Sequence, residues 1–393
     1  MARYAMLPSP MAGHVNPTLP MAAELVARGH HVTYHLPEEF RPQAEAVGAR
    51  LAPVRLREPH GYRREPDPVA RFAKVPMWLA AEAEDVLPHV LRAAEEHRPD
   101  AIVYDMTCVW GRLLARLRSG PAAMVVGSYV GNDHFSPVRT RHYAAMKEHL
   151  VSGFAETGRV VARINARHGL TVRPQELFAR DEQLVLVVMP RAFHPAGETF
   201  GEPFRFIGAS LRAEARGTSL CPPVPPGRRL AYVSFGTVVE LTDAVLSALR
   251  GTFDGTGWQV LLATGERAVD AAALPGHFTV RRSVPQLEVL RRADVFVTHG
   301  GTNSVMEALV HEVPMVVAAL APEHAITADQ VEQLGLGTRI DPDKLDAAGL
   351  RSAVGAAADN PAVRRALAAM GRATREAGGA AAAADALEKL VAR

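Results

Sequence analysis

Cysteine is scarce in this chain: Cys108 and Cys221 are the two among 393 residues. They supply neither a metal-ligand spacing nor a disulfide framework, so a reducing compartment is the simplest expectation. Aromatic residues make up only 6%. No window approaches the roughly 20 apolar residues that a membrane-spanning helix requires. Residues 1–8 are apolar but lack the basic start, long apolar stretch and cleavage site of a secretory signal. Charge of one sign is missing too, because the net charge is +2, which excludes a general affinity for nucleic acid. These absences point to a cytoplasmic protein with no membrane span, either monomer or homodimer.

What is present is 48% hydrophobic residues in a chain too long for one ordinary core, which suits two domains. Short apolar runs alternate with longer helical patterns, the signature of α/β architecture with mainly parallel sheets. Runs at 3–8, 31–36, 101–104, 122–127 and 184–189 read as strands of a first series. In the loop after the first, Asn16 and Pro17 read as N-cap and first position of a helix that Gly29 closes. Residues 212–229 break the pattern with small, charged and proline residues and read as a linker. A second series follows at 230–235, 258–263, 278–281, 295–298 and 314–319. The expected organisation is a first domain over 1–211, the linker, and a second domain over 230–375. A helix over 376–393 is expected to pack back on the first domain. Two doubly wound domains facing across a cleft would bind ligand at the carboxyl ends of their strands.

The most informative segment runs from Thr298 through His299, Gly300, Gly301, Thr302, Asn303 and Ser304 to Glu307. It follows a strand and leads into a helix. The two glycines let the backbone turn tightly and approach an anion. The helix start then offers free N–H groups and a positive dipole end. His299, Thr302, Asn303 and Ser304 can donate to phosphate, and Glu307 can accept from ribose hydroxyls. A ligand-free reading competes, because Ser304-x-x-Glu307 also fits a capping box. Three further strand ends support the ligand reading. Ser234, Gly236 and Thr237 can meet another phosphate edge. Val284 and Gln286 end a later strand, where the Gln can bond a base edge. Glu323 and His324 place an acid and an imidazole at the next.

In the first half, His14 lies in a Gly-containing loop directly after the first strand. The intrinsic pKa of histidine, near neutrality, suits it to act as a general base towards a hydroxyl. Asp105, ending the strand at 101–105, can orient the imidazole and stabilise its charged form. The alternative is that His14 supports its loop and Asp105 caps the next segment. Met77, Trp78, Trp110, Tyr129 and Phe135 can line an apolar acceptor pocket, or belong to the core.

This set of motifs resembles glycosyltransferase family 1, enzymes of the GT-B fold, and in particular bacterial macrolide-type members. The resemblance spans essentially the whole chain and is strongest over 283–337. It implies that Gln286 contacts the base and that His299, Asn303 and Ser304 contact the diphosphate. Glu307 would hold the ribose and Glu323 the donor sugar, with Gly13-His14-Val15-Asn16-Pro17 carrying the base. His324 departs from the Gln of many glucose-using relatives. The implied reaction is inverting and metal-independent. It uses no cofactor beyond a UDP- or TDP-sugar co-substrate, and the acceptor is a small apolar natural product such as a macrolide, polyketide or flavonoid. A nucleotide-sugar epimerase and a non-catalytic helper protein on the same fold are the alternatives. An NAD-dependent oxidoreductase is disfavoured, because neither half opens with G-x-G-x-x-G after its first strand.

Overall fold

The computed structural model describes residues 1–56, 68–137, 140–211, 221, 223–236, 241–265, 267–319, 324–341 and 344–392. Residues 212–220 of the expected linker, and the site candidates Thr237 and Glu323, lie outside the described residues. The chain divides into two compact units: Met1–Met189 with Glu198–Arg212 and Ala377–Arg393, and Pro190–Gly197 with Ala213–Glu376.

In the first unit the order is β1 (Arg3–Leu7), α1 (Ala12–Val15), α2 (Thr18–Ala27), β2 (His31–Leu36), α3 (Arg41–Glu45) and β3 (Arg50–Pro53). Then come α4 (Pro68–His97), β4 (Ala101–Asp105), α5 (Val109–Arg118), β5 (Ala122–Val126), α6 (Thr140–His168), β6 (Leu184–Val187) and β7 (Phe204–Phe206). All seven strands are parallel, in the order β3-β2-β1-β4-β5-β6-β7. The strand order reverses between β1 and β4, where a doubly wound sheet opens its ligand crevice.

Tyr4, Met6, Val32 and Tyr34 alternate onto one face of this sheet and pack with Leu19, Met21 and Leu25 of α2. The last helix of the chain covers the same face with Ala383, Ala384, Leu387 and Leu390. Polar contacts fasten it there. Arg28 donates to Asp385 at 2.6 Å and Glu388 at 2.9 Å, and His30 Nε2 meets Glu388 at 2.8 Å.

The second unit holds β8 (Arg229–Ser234), α7 (Asp243–Phe253), β9 (Trp258–Ala263), β10 (Phe278–Arg281), α8 (Gln286–Leu290), β11 (Val295–Thr298) and α9 (Thr302–Val310). It continues with β12 (Met315–Ala318), α10 (Ala325–Gln333), β13 (Gly337–Ile340), α11 (Ala347–Ala358) and α12 (Pro361–Glu376), before the chain returns to the first unit as α13 (Gly379–Val391). The sheet order is β10-β9-β8-β11-β12-β13, again all parallel, with the reversal between β8 and β11. Every residue of β11 and β12 is buried, which is why both read as unbroken apolar runs.

Two local expectations are corrected. Asn16 and Pro17 do not cap the first long helix in the expected way. A one-turn helix, α1, precedes them, Asn16 is its helical C-cap residue, and Pro17 stands at the N-cap of α2 with no side-chain bond. Buried hydroxyls satisfy the carbonyls freed at this junction: Thr18 donates to Val15 O at 2.8 Å and Ser210 to Pro17 O at 2.6 Å. The capping box at Ser304 and Glu307 is likewise absent. Gly301 is the N-cap of α9, so Ser304 sits inside the first turn and the Glu307 carboxylate is used elsewhere.

Candidate active site

In the first unit, the crevice at the strand reversal is furnished by the β1–α2 connection and the end of β4. His14 lies in α1, and its Nδ1 is 2.9 Å from Asp105 Oδ2. The Asp105 side chain is 1% exposed and that of His14 27%, so the pair has a buried and a reachable end. An ionised carboxylate only accepts, which puts the imidazole hydrogen on Nδ1 and leaves the Nε2 lone pair free to take a proton. Burial pulls the His14 pKa down. The Asp105 charge and hydrogen bond outweigh that effect and hold it above the ordinary 6.5.

The other oxygen of Asp105 is also held. Thr107 donates to Oδ1 through its backbone N–H at 2.8 Å and its hydroxyl at 2.5 Å. The Ser9 hydroxyl lies 2.6 Å from that of Thr107. Because the Thr107 hydrogen is committed to Asp105, Ser9 is the donor of this last bond. A line of hydroxyl, hydroxyl, carboxylate and imidazole therefore crosses from β1 to β4.

In the second unit, the strand reversal is furnished by the ends of β8 and β11, which are built alike. The Ser234 hydroxyl accepts from Gly236 N at 3.4 Å, and that of Thr298 from Gly300 N at 3.3 Å. Both glycines have positive φ, +72° and +90°, a region that side chains rarely adopt. Between them sits His299, 8% exposed. A Cβ at Gly236 would stand 2.7 Å from its Cε1, and one at Gly301 2.7 Å from its Nε2, so the glycines make room for the ring. Its Nδ1 has no partner among the described residues. His324 stands edge-on to it, with ring centroids 4.5 Å apart. Burial and the neighbouring His324 push the His299 pKa down to about 3, against a hydrogen bond with the Ser234 backbone. Burial alone lowers that of His324 to about 4.

Beside this loop, Tyr232 Oη donates to Gln286 Oε1 at 2.9 Å. Gln286 Nε2 donates to Ser304 Oγ at 3.0 Å and to Glu307 Oε2 at 2.7 Å. The network fixes the amide orientation and leaves Glu307 Oε1 as the less committed acceptor. Burial raises the Glu307 pKa, and the Gln286 bond opposes the rise. Thr302, Asn303 and Ser304 form the first turn of α9, and Val284 precedes α8. Among the described residues, no three His, Cys, Asp or Glu side chains gather where a metal ion could bind.

The acceptor candidates separate by burial. Trp78 of α4, Trp110 of α5 and Tyr129 are 8%, 1% and 2% exposed, whereas Met77 and Phe135 are half-buried. Trp110 Nε1 has no partner among the described residues. The Tyr129 and Phe135 rings lie 6.3 Å apart.

Comparison with known proteins settles the family. The chain is 34% identical to the NDP-glycosyltransferase YjiC of Bacillus licheniformis, over 98% of this chain and 96% of that one. It is 36% identical to the demethyllactenocin mycarosyltransferase of Streptomyces fradiae, over 100% of this chain and 87% of the relative. The chain belongs to glycosyltransferase family 1. Residues 251–389 of this glycosyltransferase match the family described as the C-terminal domain of erythromycin biosynthesis protein CIII-like proteins. Among solved structures, the calicheamicin glycosyltransferase CalG4 superposes with a TM-score of 0.84 at 29% identity, covering 100% of this chain and 99% of that one. The glycosyltransferase of kitacinnamycin gives 0.87 at 30%, with 99% of each chain covered. The fold is GT-B.

Three residues of the two networks escape sequence reasoning. Thr107 carries a local signal, since Asp-x-Thr is an Asx-turn spacing. Ser9 and Tyr232 carry none, because their partners lie 98 and 54 positions away.

Proposed function

We propose that this glycosyltransferase moves a sugar from a UDP- or TDP-sugar to a hydroxyl of a small apolar natural product, with inversion at the anomeric carbon. Nε2 of His14 takes the proton of the acceptor hydroxyl as its oxygen bonds to the anomeric carbon. The bond from that carbon to the diphosphate breaks, and the nucleoside diphosphate leaves with the electron pair. His299, a neutral imidazole among glycines, donates its one N–H to the diphosphate in place of the Ser234 backbone, aided by the first turn of α9 and by Asn303 and Ser304. Glu307, steadied by Gln286, accepts from the ribose. Glu323 and His324 meet the donor sugar, and Met77, Trp78, Trp110, Tyr129 and Phe135 contribute to the acceptor side. No metal or cofactor takes part, and the protein works in the cytoplasm.

The observation that carries this reading is the His14–Asp105 pair, placed at the strand reversal with Nε2 free. Relatives named for transfer to oleandomycin and to demethyllactenocin support the acceptor class. The test is incubation of the purified chain with α-linked UDP- and TDP-sugars and a panel of macrolide, polyketide and flavonoid aglycones. A β-linked glycoside, formed in step with free nucleoside diphosphate, is expected. A retained configuration would reject the mechanism. Nucleotide release that ignores the acceptor would instead favour an epimerase.

A further inference from the structure

The amino ends of β1, β2 and β3 carry a second basic cluster, at the opposite end of β1 from His14. Successive residues of a strand alternate between faces, and the register pairs Arg3 with His31, Ala5 with Thr33, and Thr33 with Arg50. One face of the sheet therefore presents Arg3, His31, His35 and Arg50 around the small residues Ala5 and Thr33. Together with His97, the last residue of α4, these side chains line a cavity of about 110 Å³. Such a volume holds several waters or one tetrahedral oxyanion.

We propose that this pocket binds a small tetrahedral oxyanion, either free phosphate or the terminal phosphate of a small ester. Two independent features point to a ligand. Charge is the first: two guanidinium groups line the cavity beside three imidazoles, and among the described residues no carboxylate lines it. Asp100 answers Arg3 alone, accepting from its backbone N at 2.7 Å and its Nη2 at 3.4 Å. No ion pair reaches Arg50 among the described residues. The second feature is His35, a residue that borders the cavity although it is 1% exposed, and whose Nδ1, itself shut off from solvent, has no partner among the described residues. A buried polar atom without a partner calls for an unseen group. Burial and the nearby His97 hold the His35 pKa down to about 4, so its ring is neutral and meets an anion as a hydrogen-bond donor, the positive charge coming from the arginines.

The experiment is a titration of the full chain, labelled at its histidine rings, with inorganic phosphate and separately with methyl phosphate. The resonances are assigned from the variants His31→Gln, His35→Gln, His97→Gln and His299→Gln. Saturable shifts at His35 and His97 are expected, and Arg50→Gln should weaken them about tenfold by removing a charge-assisted donor. The His299 ring reports separately on phosphate in the donor loop and should ignore Arg50→Gln. Equal affinity for methyl phosphate would identify an ester's terminal group as the ligand, and preference for inorganic phosphate a free anion. Shifts that never saturate, or that Arg50→Gln leaves unchanged, would overturn the site.

Discussion

His14 and His299 lie on opposite sides of the strand reversal in two sheets of like topology, and their surroundings drive them in opposite directions. His14 follows β1, which lies beside β4, and His299 follows β11, which lies beside β8. His14 faces a buried carboxylate, which keeps its pKa above the ordinary value despite burial. His299 faces another imidazole and two glycines, and its pKa falls to about 3. Fold position alone therefore does not assign a histidine its chemistry. The neighbour at the next strand end does, by raising the pKa of one ring and lowering that of the other.

Removing the base gives the largest expected effect on this contrast. His14→Ala should lower kcat by about 10²–10⁴-fold, the usual contribution of a general base. Calorimetry should find nucleoside diphosphate binding unchanged, because the donor-side groups all lie in the other unit. Asp105→Asn comes next and tests the electrostatics directly. Asp105 raises the His14 pKa, so without its charge the burial effect prevails and that pKa falls below 6.5. The acid limb of the kcat/KM profile should therefore move to lower pH, while the plateau drops because the neutral partner no longer stabilises the imidazolium.

On the donor side, Gly301→Ala is the cleanest probe. Gly301 has an ordinary φ of −60°, so its new Cβ would displace the His299 ring without straining the backbone. Loss of one bond to a charged phosphate should raise the nucleoside diphosphate Kd about 10–100-fold. Thr107→Val should have the smallest effect, roughly tenfold on kcat, since it removes one hydroxyl donor to Asp105 and strands that of Ser9. A shift of the acid limb together with the loss of rate would show that Thr107 acts through the pair, whereas a loss of stability alone would make it structural.

Much of this contrast is legible in the sequence. The inner strands β1, β4, β5, β8, β11 and β12 are short apolar runs, and His14, Asp105, Ser234, His299 and His324 follow or end one of them. Of the four edge strands, β10 is the run read at 278–281, and the other three are not legible. β3 reads Arg-Leu-Ala-Pro with both ends exposed, β7 is three residues long, and β13 begins with glycine, so none carries a clear apolar run. The helical turn that bears His14 was also hidden, because four residues hold no periodicity. Gln286 and Glu307 were legible as individual polar groups, but their bond to each other joins α8 to α9 and depends on tertiary placement. The same holds for Ser9, which meets Thr107 only because β1 and β4 are neighbours.

The most direct test of the central claim is an NMR pH titration of the histidine rings in the wild type and in Asp105→Asn. His14 should titrate above 6.5 in the wild type and well below it in the variant, while His299 stays neutral down to about pH 3 in both. An imidazolium at His299 near neutral pH, or a His14 midpoint indifferent to Asp105→Asn, would contradict the account.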